Sequence, residues 1–343
     1  MAGVLIAMKP GATAAQVEAV AARLRQAGAR AELIEAEPTV VLGNGGDRIA
    51  IDEVPWEAMP GVERAVPLSR SSRSVITSPV EVVEVAGVAV GGGHGVVIAG
   101  PCAVESREQL TAAAQAVRAA GAHLLRGDAF KPRTSPYAFQ GLGEKALELL
   151  AEVRELTGLP FVAEVLDPRD VELVSSYADC IRVGTRNMSN YPLLTELGRQ
   201  PKPVLLKRGM QASIEEWLGA AEYVSNAGNR NIILCERGIR TFETTTRNTL
   251  DLSAVAVIKA TTRLPVIVDP SHATGRRSLV APLARAALAA GADGVMVDVH
   301  PSPQTAKVDG AQALDPEEFS SLMAELHRIA VAVDLALGAP FRK

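Results

Sequence analysis

The residues best suited to chemistry are charged side chains that directly follow short apolar runs. Arg126 follows the second run, and Lys131, Arg133 and Thr134 lie a few positions further on; later runs are followed by Glu164, Arg186, Lys207-Arg208 and Glu236-Arg237. A single charge of this kind is usual in a solvated loop. Several cations held together repel one another unless anions neutralise them, and arginine suits bidentate contacts with phosphate or carboxylate. If these runs end at one place, the site there should bind at least two phosphate-type groups.

A second set combines a thiol, an imidazole and carboxylates. Cys102 follows the first apolar run, His272 the seventh, and Asp298 and Asp309 the eighth. Thiolate, imidazole and carboxylate suit a divalent ion such as Mn²⁺, Zn²⁺, Fe²⁺ or Co²⁺, and the mixture does not select among them. The first and last strands of a closed barrel are neighbours. The sequence therefore predicts a divalent metal site at these four residues.

The apolar runs that precede these residues predict the fold. They lie at 96–99, 123–125, 160–163, 180–183, 203–206, 232–235, 265–268 and 294–297, and amphipathic helical stretches separate them. Eight strands alternating with helices indicate a (β/α)8 TIM barrel. The active site of such a barrel lies at the carboxyl ends of its strands, which is where both sets of residues fall.

The first 68 residues predict a small α+β domain. Strands are expected at 4–8, 31–35, 39–42 and 62–66, a helix at 13–27 and a weaker helical stretch at 52–58. This βαββαβ order is the ferredoxin-like arrangement. A polar linker and a hairpin at 80–90 follow. The predicted organisation is thus a domain over 1–68, a linker and hairpin over 69–93, and a barrel over 94–343.

Composition excludes several functional classes. The chain is 48% hydrophobic, but its apolar runs are far shorter than the roughly 18 residues of a membrane span. Its start has no signal-peptide pattern, so a cytoplasmic protein is expected. The net charge of −4 provides no general field for nucleic acid or an anionic membrane. Three widely spaced cysteines argue against a disulfide framework, and Cys180 and Cys235, within apolar runs, are expected to be structural.

Several motifs resemble those of one enzyme family. They are GPCAVES (100–106), LRGDAFKPRTSPYAFQGLG (125–143), GTRNMSN (184–190), LLKRG (205–209), CERGIRTFE (235–243), DPSHATGRR (269–277) and VDVHPSPQTAKVDG (297–310). In order and spacing they are similar to the type Iβ 3-deoxy-D-arabino-heptulosonate 7-phosphate (DAHP) synthases, which carry a ferredoxin-like extension. The resemblance covers nearly the whole chain. It implies condensation of phosphoenolpyruvate with erythrose 4-phosphate, the first step of the shikimate pathway.

The resemblance also implies roles for individual residues. Those implied as metal ligands are Cys102, His272, Asp298 and Asp309. Those implied to contact phosphoenolpyruvate are Arg126, Lys131, Glu164, Arg186, Lys207 and Arg237, and Arg133 and Thr134 are implied to bind the phosphate of erythrose 4-phosphate. Lys131, Glu164 and His272 are the expected catalytic residues. A tyrosine or phenylalanine effector acting through the N-terminal domain, and a homo-oligomer, either tetramer or dimer, are further expectations.

Three positions depart from the family pattern. Asp298 stands where glutamate is usual, so its carboxylate is one methylene shorter and is expected to reach a metal less directly. Asp128 stands where glycine is usual, and its charge is expected either to repel an incoming anion or to pair with a neighbouring cation. Thr185 replaces a small residue, commonly alanine, and should be tolerated. His300, which precedes a proline, is expected to support the metal ligands rather than join them.

Three other functions fit parts of the pattern. The sister 3-deoxy-D-manno-octulosonate 8-phosphate synthases share the fold and the metal set, but the stretch beginning at Lys131 resembles the heptulosonate enzymes. A Schiff-base aldolase using Lys207 is less favoured, because the surrounding cations explain this lysine as an anion ligand. A catalytically weakened metabolite sensor is the alternative from a different class.

Overall fold

The computed structural model describes residues 3–34, 39–44, 51, 54–67, 73–76, 78, 80–132 and 135–338. The chain divides into two compact units, Met1–Ile76 and Thr77–Lys343. Among the described residues, no helix is both long and apolar enough to cross a bilayer.

The first unit has a four-stranded antiparallel sheet. Its strands are β1 (Gly3–Met8), β2 (Arg30–Ile34), β3 (Val40–Asn44) and β4 (Val62–Pro67), in the order β2-β3-β1-β4. The helix Ala14–Gln26 follows β1, and the 3₁₀ turn Trp56–Ala58 precedes β4. The ferredoxin-like prediction is confirmed. The weaker helical stretch expected over 52–58 is reduced to that turn, and residues 52 and 53 lie outside the described part of the chain.

Alternating apolar residues of β1 are buried on the two opposite faces of this sheet. Val4, Ile6 and Met8 pack in one cluster with residues of the helix Ala14–Gln26. Leu5 and Ala7 belong to a second cluster that includes Ile76 of the short helix Arg73–Ile76. Side chains of a strand alternate between its two faces, so β1 is a central strand covered on both sides. Within the predicted linker, residues 73–76 form a helix, and residues 69–72, 77 and 79 lie outside the described chain.

The second unit opens with the predicted hairpin. Strands β5 (Val83–Val85) and β6 (Val88–Val90) pair antiparallel across the turn Ala86-Gly87. Val83, Val85 and Val90 share one buried cluster with residues of the barrel strands, including Val96 and Ile98. The hairpin therefore packs as part of the barrel unit.

Eight parallel strands close into a barrel, which confirms the predicted fold. They are β7 (His94–Gly100), β8 (Leu124–Arg126), β9 (Phe161–Val165), β10 (Cys180–Val183), β11 (Val204–Lys207), β12 (Ile232–Glu236), β13 (Val266–Val268) and β14 (Gly294–Asp298). Each pairs with the next, and β14 pairs with β7 to close the ring. A short strand β15 (Ala336–Leu337) adds to the start of β7.

Amphipathic helices surround the barrel. They span Arg107–Ala119, Glu144–Thr157, Val171–Tyr177, Tyr191–Gly198, Ile214–Asn226, Leu252–Thr261, Arg277–Ala289 and Pro316–Ala332, with the short helix Pro270–Thr274 directly after β13. Polar caps define several of their starts. Ser213 and Asp315, for example, each accept a hydrogen bond from the backbone three residues on and form a capping box with a glutamate. These caps fix where the loops that lead into the capped helices end.

Candidate active site

Charged side chains replace apolar ones toward the carboxyl ends of the barrel strands. One layer deeper, the strands contribute Ile98, Leu124, Val162, Cys180, Leu205, Cys235, Ile267 and Met296 to a single buried cluster. Residues two apart on a strand share a face, so the next positions point the same way. Apart from glycine at position 100, these next positions form what we call the polar layer: Arg126, Glu164, Arg182, Lys207, Arg237, Asp269 and Asp298, all buried.

The four predicted metal ligands meet at one side of the barrel mouth. Cys102, His272, Asp298 and Asp309 each offer a donor atom, and these atoms lie within 4.8 Å of one another. The Cys102 sulfur is 3.7 Å from Nε2 of His272 and 3.2 Å from Oδ2 of Asp309. The same Asp309 oxygen is 3.5 Å from Nε2 of His272. These separations suit one divalent cation held between the donors.

His272 is oriented by a carboxylate beneath it. Nδ1 of His272 lies 2.9 Å from Oδ2 of Asp269, which leaves Nε2 directed at Cys102 and Asp309. Metal-binding histidines commonly face a carboxylate in this way through their second nitrogen. Burial disfavours the charged imidazole, but Asp269 and Asp298 outweigh that effect and raise the pKa of His272 to about 10. The surroundings of this ring thus favour positive charge, which fits a bound cation.

The two aspartates of the cluster are also held by neighbours. Oδ1 of Asp298 lies 2.6 Å from Nη1 of Arg126, and its Oδ2 accepts a hydrogen bond of 2.6 Å from the Gln312 amide. Asp309 adopts a left-handed backbone with φ of 52°, and its Oδ1 lies 3.3 Å from Arg247. Asp and Asn tolerate this conformation better than most residues. The shorter carboxylate of Asp298 is therefore fixed near the other donors by two partners.

A cavity of about 350 Å³ adjoins the metal cluster. The predicted site residues that line it are Lys131, Glu164, Arg186, Lys207, Arg237, His272 and Asp309. Arg126 and Asp298 are fully buried below it. The predicted residues Arg133 and Thr134 lie outside the described part of the chain.

Two arginines of this cavity have no carboxylate partner among the described residues. Arg237 donates to the backbone carbonyls of His272 and Gly238, at 2.9 and 3.2 Å, and Arg186 donates to the carbonyl of Pro132 at 3.1 Å. Burial lowers the pKa of Arg237. Arg186 is exposed, whereas Arg237 is buried, and a buried guanidinium without a counter-charge is costly. An anionic ligand in the cavity would supply that charge.

The remaining predicted ligands are anchored by ion pairs within the polar layer. Lys207 pairs with Asp269, and Glu164 accepts from Arg182 at 2.6 Å. The Glu164 carboxylate fits only because residue 184 is glycine: a Cβ at Gly184 would overlap Oε1 of Glu164. The positions of these charges are therefore set before any ligand binds.

Sequence reasoning missed two residues of the site, Arg182 and Arg247, and assigned no role to Asp269, although that residue follows the seventh apolar run. Arg182 and Arg247 line the cavity, and Asp269 orients His272. Arg182 could have been found, because a charge two positions after an inward apolar residue continues the pattern of the other strands. Arg247 lies in the long segment between β12 and the next helix, where no periodicity marks it.

The residues expected to play supporting parts lie apart from the metal cluster. Cys180 and Cys235 are buried in strands, and burial raises the pKa of each to about 12. All three cysteines are free. Nε2 of His300 lies 3.7 Å from Glu105, whose carboxylate accepts from the backbone of Lys307. His300 thus contacts a residue that braces the loop leading to Asp309.

Comparison with known proteins agrees with this geometry. Residues 68–332 match the DAHP synthetase I family, and residues 5–70 match the DAHP synthase ferredoxin-like domain. The chain belongs to the DAHP synthetase I family. Among its relatives is a phospho-2-dehydro-3-deoxyheptonate aldolase of Thermotoga maritima, 45% identical over 96% of this chain and 98% of the relative.

A more distant relative and two solved structures also match this chain. A 2-dehydro-3-deoxyphosphooctonate aldolase of Syntrophotalea carbinolica is 33% identical over 73% of this chain and 96% of that protein. The crystal structure of the Thermotoga maritima DAHP synthase superposes with a TM-score of 0.76 at 43% identity and covers 98% of both chains. A truncated form of the Thermotoga enzyme matches 75% of this chain and 94% of its own, with a TM-score of 0.70 and 48% identity.

Proposed function

We propose that this protein condenses phosphoenolpyruvate with D-erythrose 4-phosphate and water to give DAHP and phosphate. The observation that carries the proposal is the cavity beside the metal cluster, where Arg186 and Arg237 have no carboxylate partner among the described residues. Such arginines suit the phosphate and carboxylate of an enol phosphate. The 45% identity to the Thermotoga enzyme over nearly the full chain supports the same reaction.

The cations of the site would hold the donor substrate. We assign phosphoenolpyruvate contacts to Arg126, Lys131, Glu164, Arg186, Lys207 and Arg237. The positive charge of the arginines and lysines offsets the negative charge of the enol phosphate, and together these contacts fix C3 against the aldehyde of the second substrate. Arg133 and Thr134 are assigned to the phosphate of erythrose 4-phosphate on the resemblance alone.

A divalent metal ion completes the proposed site. Cys102, His272, Asp298 and Asp309 would hold it, with Asp269 orienting the imidazole. When bound, such an ion supplies Lewis-acid polarisation of the aldehyde oxygen. The donor set does not distinguish Mn²⁺, Zn²⁺, Fe²⁺ and Co²⁺.

Two side chains are proposed to move protons. C3 of the enol phosphate attacks the aldehyde carbon, and the ammonium of Lys131 is the proposed proton donor to the oxygen that becomes a hydroxyl. Water then adds at C2 before phosphate leaves, and Glu164 is the proposed acceptor of its proton. Arg182, 2.6 Å from Glu164, holds this carboxylate in place.

The octulosonate reaction is less well supported. The matching octulosonate aldolase is 33% identical and covers 73% of this chain, whereas the heptulosonate enzyme is 45% identical and covers 96%. The family match over residues 5–70 is to a ferredoxin-like domain named for DAHP synthase.

One assay tests the proposal. Purified protein supplied with Mn²⁺ is given phosphoenolpyruvate together with either erythrose 4-phosphate or arabinose 5-phosphate, and phosphate release and product mass are measured. DAHP formed only with the four-carbon aldose is the expected result. Product with the five-carbon aldose would indicate the octulosonate enzyme, and binding without turnover for both would indicate the sensor. Loss of activity on borohydride treatment with substrate would instead indicate a Schiff base on Lys207.

The properties outside the barrel remain proposals of the same kind. We propose that the N-terminal domain binds tyrosine or phenylalanine and regulates the enzyme, which acts in the cytoplasm as a homo-oligomer, a tetramer or a dimer. The support is the match of residues 5–70 to the DAHP synthase ferredoxin-like domain.

A further inference from the structure

Asp128 is a carboxylate buried directly among the cations of the site. It is fully inaccessible and bridges three of them. Its Oδ1 lies 2.6 Å from Arg182, and its Oδ2 lies 2.5 Å from Nζ of Lys131 and 3.4 Å from Arg126. Those three cations hold the pKa of Asp128 far below its usual range, against the opposing effect of burial. The carboxylate is therefore charged, and it pairs with two of the residues assigned to the donor substrate.

The contact with Asp128 leaves Lys131 fully occupied. Nζ of Lys131 also donates to the backbone carbonyl of Cys102 at 2.9 Å and to its sulfur at 3.1 Å. An ammonium has three N–H donors and accepts nothing. With Asp128, all three donors are used, so Lys131 lines the cavity without a donor directed at a ligand.

The charges around Asp128 balance without any ligand. Three cations, Arg126, Lys131 and Arg182, are matched by three carboxylates, Asp128, Glu164 and Asp298. An anion that draws Lys131 toward the cavity must break its contact with Asp128, which then loses one of its buried partners. Leaving a buried charge less well paired is unfavourable. Part of the ligand's binding free energy is therefore spent on separating Lys131 from Asp128.

We propose that Asp128 is a positioning and affinity-setting residue, which holds Lys131 away from the anionic donor substrate until that substrate displaces it. The proposal rests on the proposed function for the identity of the donor, phosphoenolpyruvate. In this site Asp128 weakens binding of the donor substrate. Arg182 counteracts that effect, because it engages the other oxygen of the same carboxylate.

The test compares variants of the full-length protein by calorimetry with two probes, phosphoenolpyruvate and inorganic phosphate, at fixed Mn²⁺. Asp128→Asn keeps the shape of the side chain and removes its charge, so Lys131 is held only by a weaker, neutral acceptor and is more easily drawn to the ligand. We expect Kd for both probes to fall by about tenfold or more, the size of one charge-assisted hydrogen bond. KM for phosphoenolpyruvate should fall with it, and KM for erythrose 4-phosphate should stay unchanged.

Arg182→Gln should act in the opposite direction. With Arg182 absent, Asp128 keeps Lys131 and Arg126 as its partners and holds Lys131 more strongly, so Kd for both probes should rise. In the double variant, Asp128→Asn with Arg182→Gln, Lys131 is free again, and Kd should return to the wild-type value or below it. A double variant as weak as Arg182→Gln alone would show that Arg182 is itself the ligand and would overturn the proposed action through Lys131.

Asp293→Asn is the matched control. Asp293 is another buried carboxylate of this barrel, paired with Lys259 at 2.8 Å before strand β14 and outside the cavity. Its loss should leave Kd for both probes within about twofold of wild type. If Asp128→Asn bound the probes no more tightly than Asp293→Asn, the proposal would be wrong.

A variant that fails to fold, and a failure of the proposed function, can each be told apart from a failure of this inference. Asp128→Gly, which removes the whole side chain, replaces Asp128→Asn if the latter does not fold, as judged by its thermal transition, and the same tightening is expected. If the wild type binds phosphate but gives no DAHP, the proposed function fails, whereas the inference is still decided by the phosphate Kd of the variants. If the wild type is active and removal of the Asp128 charge tightens neither probe, only the inference fails.

Discussion

The carboxylate of Glu164 occupies the space that a Cβ at Gly184 would fill. Gly184 has an ordinary negative φ of −69°, so glycine is required there by the close approach of Glu164 and not by backbone strain. Strand β9 and the start of the loop after β10 are thereby fitted to each other at the cavity wall.

Gly184→Ala should therefore lower kcat by displacing Glu164. A shift of about 1 Å in a catalytic group costs on the order of 100-fold in rate. Steady-state assays of Gly184→Ala, Glu164→Ala and the double variant measure the effect. If the alanine acts through Glu164, the double variant is little slower than Glu164→Ala alone. Fully additive losses would show that Gly184 matters for another reason.

Arg237 and Arg208 should respond differently to neutralisation. Arg237 lines the cavity and has no carboxylate partner among the described residues, so Arg237→Gln should raise KM for phosphoenolpyruvate by about 10- to 100-fold, from loss of roughly 1.5–3 kcal/mol. Arg208 pairs with Glu236 at 3.0 Å and Asp251 at 2.8 Å, and it lies over the ring of Trp217.

Arg208→Gln is accordingly the control. It should lower the thermal midpoint, because two buried or half-buried carboxylates lose their partner, and it should leave KM for phosphoenolpyruvate close to wild type in the folded enzyme. Steady-state kinetics and thermal melts of both variants check this. Equal changes in KM would contradict the assignment of Arg237 to the substrate.

Much of this site could be predicted because strand periodicity places charges and apolar residues on the same inward face. The eight strands agree with the predicted runs to within two residues at every bound, and the runs end at the polar layer. Arg182 was missed because it lies inside a run interpreted as wholly apolar. Its partner Asp128 is 54 positions away in sequence, and such a pairing depends on how the closed barrel brings two strands together, which no local pattern specifies.

The surroundings of Asp298 illustrate the same limit. Its type and its place after a strand identify it as a potential ligand. Its partners could not be predicted, because Gln312 belongs to a loop without periodicity and Arg126 reaches it from a strand that is not adjacent.

The metal cluster predicts that Cys102→Ser loses metal and activity together. An alcohol is a poor ligand for these ions at neutral pH compared with a thiolate. Metal content after dialysis, measured by atomic spectrometry, should fall well below one ion per chain. Exhaustive chelation of the wild type should abolish turnover, and added divalent cation should restore it. Cys180→Ala, which alters a buried cysteine in the lower layer of the barrel, should retain its metal. Full activity of verified metal-free enzyme would exclude the ligand assignment.

His123 predicts a loss of stability in mild acid. Burial, assisted by His327 and Arg118, lowers the pKa of His123 to about 4, and its Nδ1 accepts a hydrogen bond of 2.8 Å from the backbone of Val97. The folded state therefore resists the proton that the unfolded state accepts below its ordinary pKa of about 6.5. Stability should fall as pH decreases from about 6.5 toward 4.

His123→Asn preserves an acceptor and removes this titration. Thermal midpoints measured between pH 7 and pH 4.5 should decrease less for the variant than for the wild type. Parallel curves would show that His123 does not contribute to the acid sensitivity.

The last prediction concerns regulation by the N-terminal unit. The unit Met1–Ile76 has its own sheet and buried clusters, and the barrel unit begins at Thr77 with the hairpin that packs into its core. A chain beginning at Val80 keeps the hairpin, the polar layer and all four metal ligands. We expect it to fold and to remain active.

Regulation requires that an effector bind one state of the enzyme more tightly than another, with a coupling of about 1–3 kcal/mol. Tyrosine or phenylalanine should therefore inhibit the full-length enzyme and leave the shortened one unaffected. Initial rates at increasing effector concentration measure both, and undiminished inhibition of the shortened enzyme would place the effector site in the barrel.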